Sequence, residues 1–208
     1  MEKDVYIKLL ERINSIQEMR LNDLSSRDIF EKLLDVLLEV TSSEYGFIGE
    51  VLHNETQPYL RTQAISNIAW NKETMDYFNK FYRTGLEFYN LETLFGVTLK
   101  TGKPVISNDP PNDPRGAGIP MGHPALKTYL GAPLDVNGKM IGMVGIANRE
   151  GGYDDSMVEF LKPLLHTCAS LIQSKTMIDD KDGYKNKFNE LSEKLDHQIS
   201  YLKGKLHL

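Results

Sequence analysis

An Asn137-Gly138 pair separates Tyr129-Leu-Gly-Ala-Pro-Leu-Asp-Val from Lys139-Met-Ile-Gly-Met-Val-Gly-Ile-Ala. Both central residues of a type I′ turn need positive φ, and Asn-Gly supplies them at low steric cost. Two β-rich runs joined in this way commit the chain to an antiparallel sheet. Gly131, Gly142 and Gly145 within the runs imply close approach by a helix or a ligand. A second distribution bounds what surrounds the hairpin. All nine Pro and fourteen of the sixteen Gly lie between residues 26 and 178. The flanking segments are polar, periodic and free of Pro, so helical arms on a mixed α/β core are expected.

Val5, Leu9, Ile13 and Ile16 form one apolar stripe, which predicts an N-terminal helix. Ser26 is the expected N-cap of a second helix, with Ile29, Leu33, Val36, Leu37 and Val40 on its buried face. Tyr45–Leu52 and Tyr59–Ile65 read as paired strands. Helices are predicted over 71–83 and 91–100, the latter stopped by Gly102, and a short strand at 103–107. Asn108–Pro124 holds five Pro and two Asp-Pro steps; a loop of this length inside a compact domain is usually functional. Tyr153-Asp-Asp opens a long helix that must accommodate Pro163 by a kink or in its first turns. Its helical character continues past a candidate break at Gly183 through Tyr184, Phe188, Leu191, Leu195 and Leu202, at spacings that suit a short, imperfect coiled coil.

At 208 residues, one domain with appendages, or at most two small domains, is expected. A net charge of -5 argues against general nucleic-acid binding. The single Cys168 excludes an internal disulfide and any cysteine-cluster metal site held by this chain alone, and favours a reducing, cytoplasmic setting. No stretch approaches the ~18–20 apolar residues of a membrane-spanning helix.

Four motifs occur in one order: Leu94-Phe-Gly-Val…Thr101-Gly-Lys-Pro-Val-Ile, Asn108-Asp-Pro…Asn112-Asp-Pro-Arg, Gly122-His-Pro-Ala-Leu…Tyr129-Leu-Gly-Ala-Pro-Leu, and Gly142-Met-Val-Gly-Ile-Ala-Asn-Arg…Gly151-Gly-Tyr. Together with the element order, they resemble the GAF domains of multi-domain sensor histidine kinases and related signalling proteins. The resemblance covers about residues 27–176, leaving 1–26 as an N-terminal helical arm and 177–208 as a C-terminal signalling helix or short coiled coil. It implies an α+β fold: an antiparallel sheet of about five or six strands, helices on one face and a ligand pocket on the other. It further implies a non-catalytic sensor that binds a small molecule, forms a homodimer through its flanking helices and acts on an output kinase or other signalling domain. A ligand-free dimerisation module is the alternative.

The motifs of common hydrolases, nucleotide-binding loops and zinc enzymes are missing from the sequence. The candidate ligand-binding residues follow from the resemblance. Asp109, Asp113 and Arg115 stand in the long loop, with Arg115 the better ligand candidate. Phe47, Trp70 and Phe95 could wall the pocket, as could Tyr82 and Phe88, although aromatics at such positions are often plain core. Met143 is either a pocket residue or filler between sheet and helix. His123 stands where certain haem-based sensor kinases carry the proximal histidine, in a similar motif. Those sensors have a Tyr on the following strand where this chain has Gly145. The plain reading is that His123 caps a helix starting at Pro124 or bonds loop carbonyls. The cofactor is therefore unassigned, with haem the less favoured option. Covalent bilin needs a pocket cysteine, and Cys168 lies on the terminal helix. Asn79-Lys80-Phe81 imitates a cyclic-nucleotide motif by coincidence.

Overall fold

The computed structural model describes residues 3–21, 25–67, 69, 71–117 and 123–205. The chain forms two compact units, Met1–Ile172 and Gln173–Leu208. The elements in order are α1 (Lys3–Leu21), α2 (Ser26–Thr41), β1 (Tyr45–His53), β2 (Pro58–Ile65), α3 (Lys72–Phe81), β3 (Glu87–Phe88), α4 (Leu94–Thr101), β4 (Val105–Ser107), β5 (Tyr129–Val136), β6 (Lys139–Ala147) and α5 (Asp155–Lys205). A 3-10 turn, Pro110–Asn112, interrupts the long loop.

The six strands make one antiparallel sheet in the order β3-β2-β1-β6-β5-β4. Its seed is the β5–β6 hairpin. Asn137 and Gly138 both adopt positive φ, 53° and 77°, as a type I′ turn requires. Strand alternation then gives the sheet two faces. Val144 and Ile146 of β6, Leu130, Ala132 and Leu134 of β5, Ile48 of β1 and Ala64 of β2 join the main core with α1, α2 and the first part of α5. The α1 stripe Leu9, Ile13 and Ile16 is buried in that core, and Tyr6 meets Phe160 of α5 edge to face. The opposite sheet face carries α4 over a smaller cluster of Leu94, Val105 and Tyr129.

Two local expectations are corrected, the N-cap of α2 and the break at Gly183. The N-cap of α2 is Ser25: its Oγ accepts the Asp28 amide at 3.2 Å and donates to the Asp28 carboxylate at 2.7 Å. That reciprocal Ser-x-x-Asp pairing needs an acid three residues on, which Ser26 lacks. Pro163 lies in the third turn of a helix that runs on through it. Burial of Leu161, Leu164 and Leu165 around it offsets the ~3 kcal/mol that an interior proline costs. The helix also passes through Gly183, where the glycine penalty of ~1 kcal/mol is too small to end it. In the unit Gln173–Leu208, Lys175–Asp179 and Glu190–Lys194 are i,i+4 ion pairs, and Met177, Ile178 and Tyr184 are exposed. The side chains of Phe188, Leu191, Leu195 and Leu202 lie outside the described residues. No helix among the described residues is long and apolar enough to cross a membrane.

Candidate functional site

A cavity of about 650 Å³ opens on the sheet face that carries α4. Its floor is the row Tyr45 and Phe47 of β1, Gly145 and Ala147 of β6, and Tyr129 of β5. These residues share a face because they alternate along their strands, and the register sets Phe47 opposite Gly145 and Tyr129 opposite Ala147. A Cβ on Gly145 would stand 2.4 Å from the Phe47 ring, so only glycine lets that ring lie across β6. Phe78 of α3, Phe88 of β3 and Phe95 of α4 supply the walls. Phe88 joins two of the aromatics, with ring centres 6.4 Å from Phe47 and 5.9 Å from Phe95. Among the described lining residues there is no Lys or Arg, and Glu87 is the one carboxylate.

Of the predicted residues, the structure brings Phe47, Phe88, Phe95 and His123 to this cavity. Trp70 lies outside the described residues. His123 starts no helix. Residues 123–128 are irregular, and its Nδ1 is 2.7 Å from the Pro124 carbonyl. Asn148, at positive φ just past β6, is the reason. Its Oδ1 accepts the Lys127 amide, its Nδ2 donates to the Ala125 carbonyl, and its amide donates to the Thr128 carbonyl. Backbone groups satisfied from a distant strand do not need a helix. Met143 shares the face of Gly145, the one that carries α4, and is fully buried opposite Gly49 and Pro133 without lining the cavity. Tyr82 is also elsewhere. It donates to Glu31 of α2 at 2.6 Å and lies 4.1 Å beneath the Arg27 guanidinium.

Asp109, Asp113 and Arg115 line a separate, open depression beside β4. Arg115 is a latch there. Its Nε and Nη2 donate to the two Asp113 oxygens at 2.9 and 2.6 Å, and Nη2 also donates to the Ile106 carbonyl at 2.7 Å. Asn108 ties the same loop to the start of α5 through the Tyr153 amide and carbonyl. The Arg115 hydrogen bonds hold the Asp113 carboxyl well below the usual carboxylate range. A depressed folded pKa stabilises above the unfolded value and loses that stabilisation as pH falls below about 4. Wild type should therefore exceed Asp113→Asn by about 1 kcal/mol at pH 7, a figure discounted for the exposure of Arg115. The gap should close toward pH 2 in melting curves. An unchanged gap at both pH values would mean that the pair does not carry it.

Tyr45, Phe78, Leu126 and Tyr129 are cavity residues that sequence reasoning missed. The signal available was alternation: Tyr45 with Phe47, and Tyr129 with Gly131, are i,i+2 pairs at the starts of strands. Cys168 is fully enclosed, and burial pushes its thiol up to about 12, which suits a core thiol. No group of three or more His, Cys, Asp or Glu gathers for a metal among the described residues.

A sheet with its main helical core on one face and an aromatic cavity, walled by α3 and α4, on the other is an arrangement that suits a small-molecule binding module. The GAF domain family pattern matches residues 23–173, and the chain belongs to that family. Members are generally sensory or regulatory ligand-binding modules. One relative is the methyl sulfide methyltransferase-associated sensor of Methanosarcina acetivorans, 30% identical over 103 residues. That match takes in 49% of this chain and 10% of the sensor's length. Among solved structures, the GAF domain of a Coxiella burnetii phosphoenolpyruvate-protein phosphotransferase superposes with a TM-score of 0.65 at 15% identity, covering 84% of this chain and 98% of that one. The free methionine-R-sulfoxide reductase of Neisseria meningitidis superposes with a TM-score of 0.60 at 11% identity, covering 86% and 96%. At these identities the likeness is one of fold alone.

Proposed function

We propose that this GAF domain is a non-catalytic sensor that holds a small, neutral, largely apolar molecule in the 650 Å³ cavity. The observation that carries the reading is the lining: aromatic walls with no Lys or Arg among the described lining residues, which leaves a phosphate or carboxylate without a countercharge. Occupancy biases the packing of a homodimer through residues 173–208, and the bias reaches an output domain such as a kinase. The relative named as a sensor, matched over a small part of its length, supports a role inside multi-domain signalling proteins. The exposed Met177, Ile178 and Tyr184 support helix pairing in that segment.

Haem is a second reading, favoured by the His123 imidazole on the cavity wall. The ring would find apolar surroundings, but its two propionates find no Lys or Arg among the described lining residues, so the fit is incomplete.

Native mass spectrometry of the full chain tests these readings. A dimer carrying added mass is expected, and Ala117→Trp, at an exposed position on the cavity's rim, should lose that mass while keeping its fold. The released molecule at a hundred-fold excess over its Kd should raise the melting temperature by about 5–10 °C. A haem-sized increment would overturn the neutral-ligand reading. A bare dimer whose melting no neutral metabolite shifts would leave the ligand-free dimerisation module instead.

A further inference from the structure

Arg27 of α2 holds half of a fork that two other arginines complete. Arg115 places Nε and Nη2 on the two oxygens of Asp113 at 2.9 and 2.6 Å. Arg61 brings the same pair of nitrogens to Glu50 at 2.7 and 2.5 Å. Arg27 donates Nε to Glu31 Oε1 at 3.1 Å, one turn along the helix, but its Nη2 is enclosed and makes no hydrogen bond. An enclosed guanidinium N–H without a partner is unfavourable, because it has lost its water and gained no bond.

The competitor for the carboxylate is Tyr82, which closes α3. Its hydroxyl donates to the same Glu31 Oε1 at 2.6 Å, and the Arg27 guanidinium stands 4.1 Å from the centre of its ring. A complete fork needs Glu31 to turn Oε2 to Nη2 while Oε1 keeps Nε. A carboxylate drawn to the phenol has not made that turn. Glu31 therefore has two arrangements, one bonded to Tyr82 with the fork open and one closed on Arg27 with the phenol released. Each satisfies one donor at the expense of the other, which keeps them close in energy.

Tyr82 is also within reach of the cavity. Phe78 lines the cavity, and it stands one turn before Tyr82 with the two ring centres 4.8 Å apart. On the far side, α2 buries Ile29, Leu33 and Leu37 in the core that it shares with Phe160 and Leu164 of α5.

We infer that Glu31 is a two-position switch set from the cavity: a molecule seated against Phe78 presses α3 outward, Tyr82 leaves Glu31, and the carboxylate closes on the Arg27 fork. This rests on the cavity being the ligand site, and adds the path by which occupancy leaves it, through α2 to the core around α5. The ligand biases the switch by binding the released arrangement better than the latched one.

NMR of the full chain tests it, with naphthalene as the cavity probe. Arginine Nε–H signals report each guanidinium, and the one lost in Arg27→Lys belongs to Arg27. Tyr82→Phe without the probe should move that signal, because the fork closes. Naphthalene added to wild type should move it in the same direction, while the Phe47 and Phe95 amides report that the cavity is filled. Tyr82→Phe should bind naphthalene about three-fold tighter than wild type, since the binding-competent arrangement is then the populated one. In the Arg27→Lys background, where no fork can form, that gain should vanish. The melting temperature of Tyr82→Phe should stay within about 2 °C of wild type, because Glu31 regains a partner. A cavity filled by naphthalene with the Arg27 signal unmoved would overturn the switch and leave the cavity reading standing. So would a Tyr82→Phe affinity that is unchanged or weaker, or a melting loss of about 5 °C or more, which marks Tyr82 as a structural tie. Naphthalene that leaves the Phe47 and Phe95 amides unmoved would remove the cavity reading and the switch together.

Discussion

Phe160→Ala should lower stability by about 4 kcal/mol. Phe160 is fully enclosed on α5, within the cluster that joins α1, α2 and the sheet. Its truncation removes transfer free energy and leaves a cavity that three converging elements cannot readily collapse. For a chain of this size, the melting temperature should fall by about 8–16 °C. The effect reaches α1 because the Tyr6 ring stands 5.0 Å from Phe160, at 82° between planes. A double-mutant cycle with Tyr6→Ala should therefore show about 1 kcal/mol of coupling. Calorimetry of the four variants decides it. Strict additivity would mean that α1 is held by Leu9, Ile13 and Ile16 without help from the aromatic pair.

The second large effect is electrostatic. Glu50 on β1 is nearly inaccessible, and its carboxylate receives Arg61 Nε at 2.7 Å and Nη2 at 2.5 Å from β2. The register places the two residues directly opposite each other. Arg61→Met keeps the aliphatic stem that packs near Gly85 but strands the carboxylate, at a cost of about 3 kcal/mol. Glu50→Leu combined with Arg61→Met should recover most of that loss, because replacing both charges removes the desolvation penalty with the attraction. Denaturant unfolding of the single and double variants measures it. A double variant as unstable as Arg61→Met would show that the stem, not the charge, is what the sheet needs.

Some of this fold was legible one residue at a time. Asn137-Gly138 specified its turn because positive φ is a property of those two residues. The α2 face was legible because its apolar spacing matches the helix period. Strand β3 was not, since Glu87 and Phe88 alone show no alternation. They become a strand by pairing with Arg61 and Leu60. The segment after His123 looked like a helix start because Pro124 suits a first turn. Asn148 overrode that preference by taking its backbone groups. Arg115 looked available for a ligand because it stands beside Gly116 in the long loop. Its commitment to Asp113 and Ile106 depends on how the loop folds back against β4.

The candidate site divides in the same way. Sequence by itself determined the antiparallel sheet, the membership suggested by four ordered motifs, and four of the residues that meet at the cavity, Phe47, Phe88, Phe95 and His123. The sheet follows from periodicity and local backbone preference, which act within a few residues; the membership and the site residues rest on the resemblance carried by the motifs. Only the tertiary structure decided that Met143 and the Asp113–Arg115 latch stand apart from that cavity, and that Tyr82 and Arg27 meet at Glu31. The physical reason is register: each strand pairing sets which face a side chain takes and what it meets, and no stretch of sequence contains its own partner.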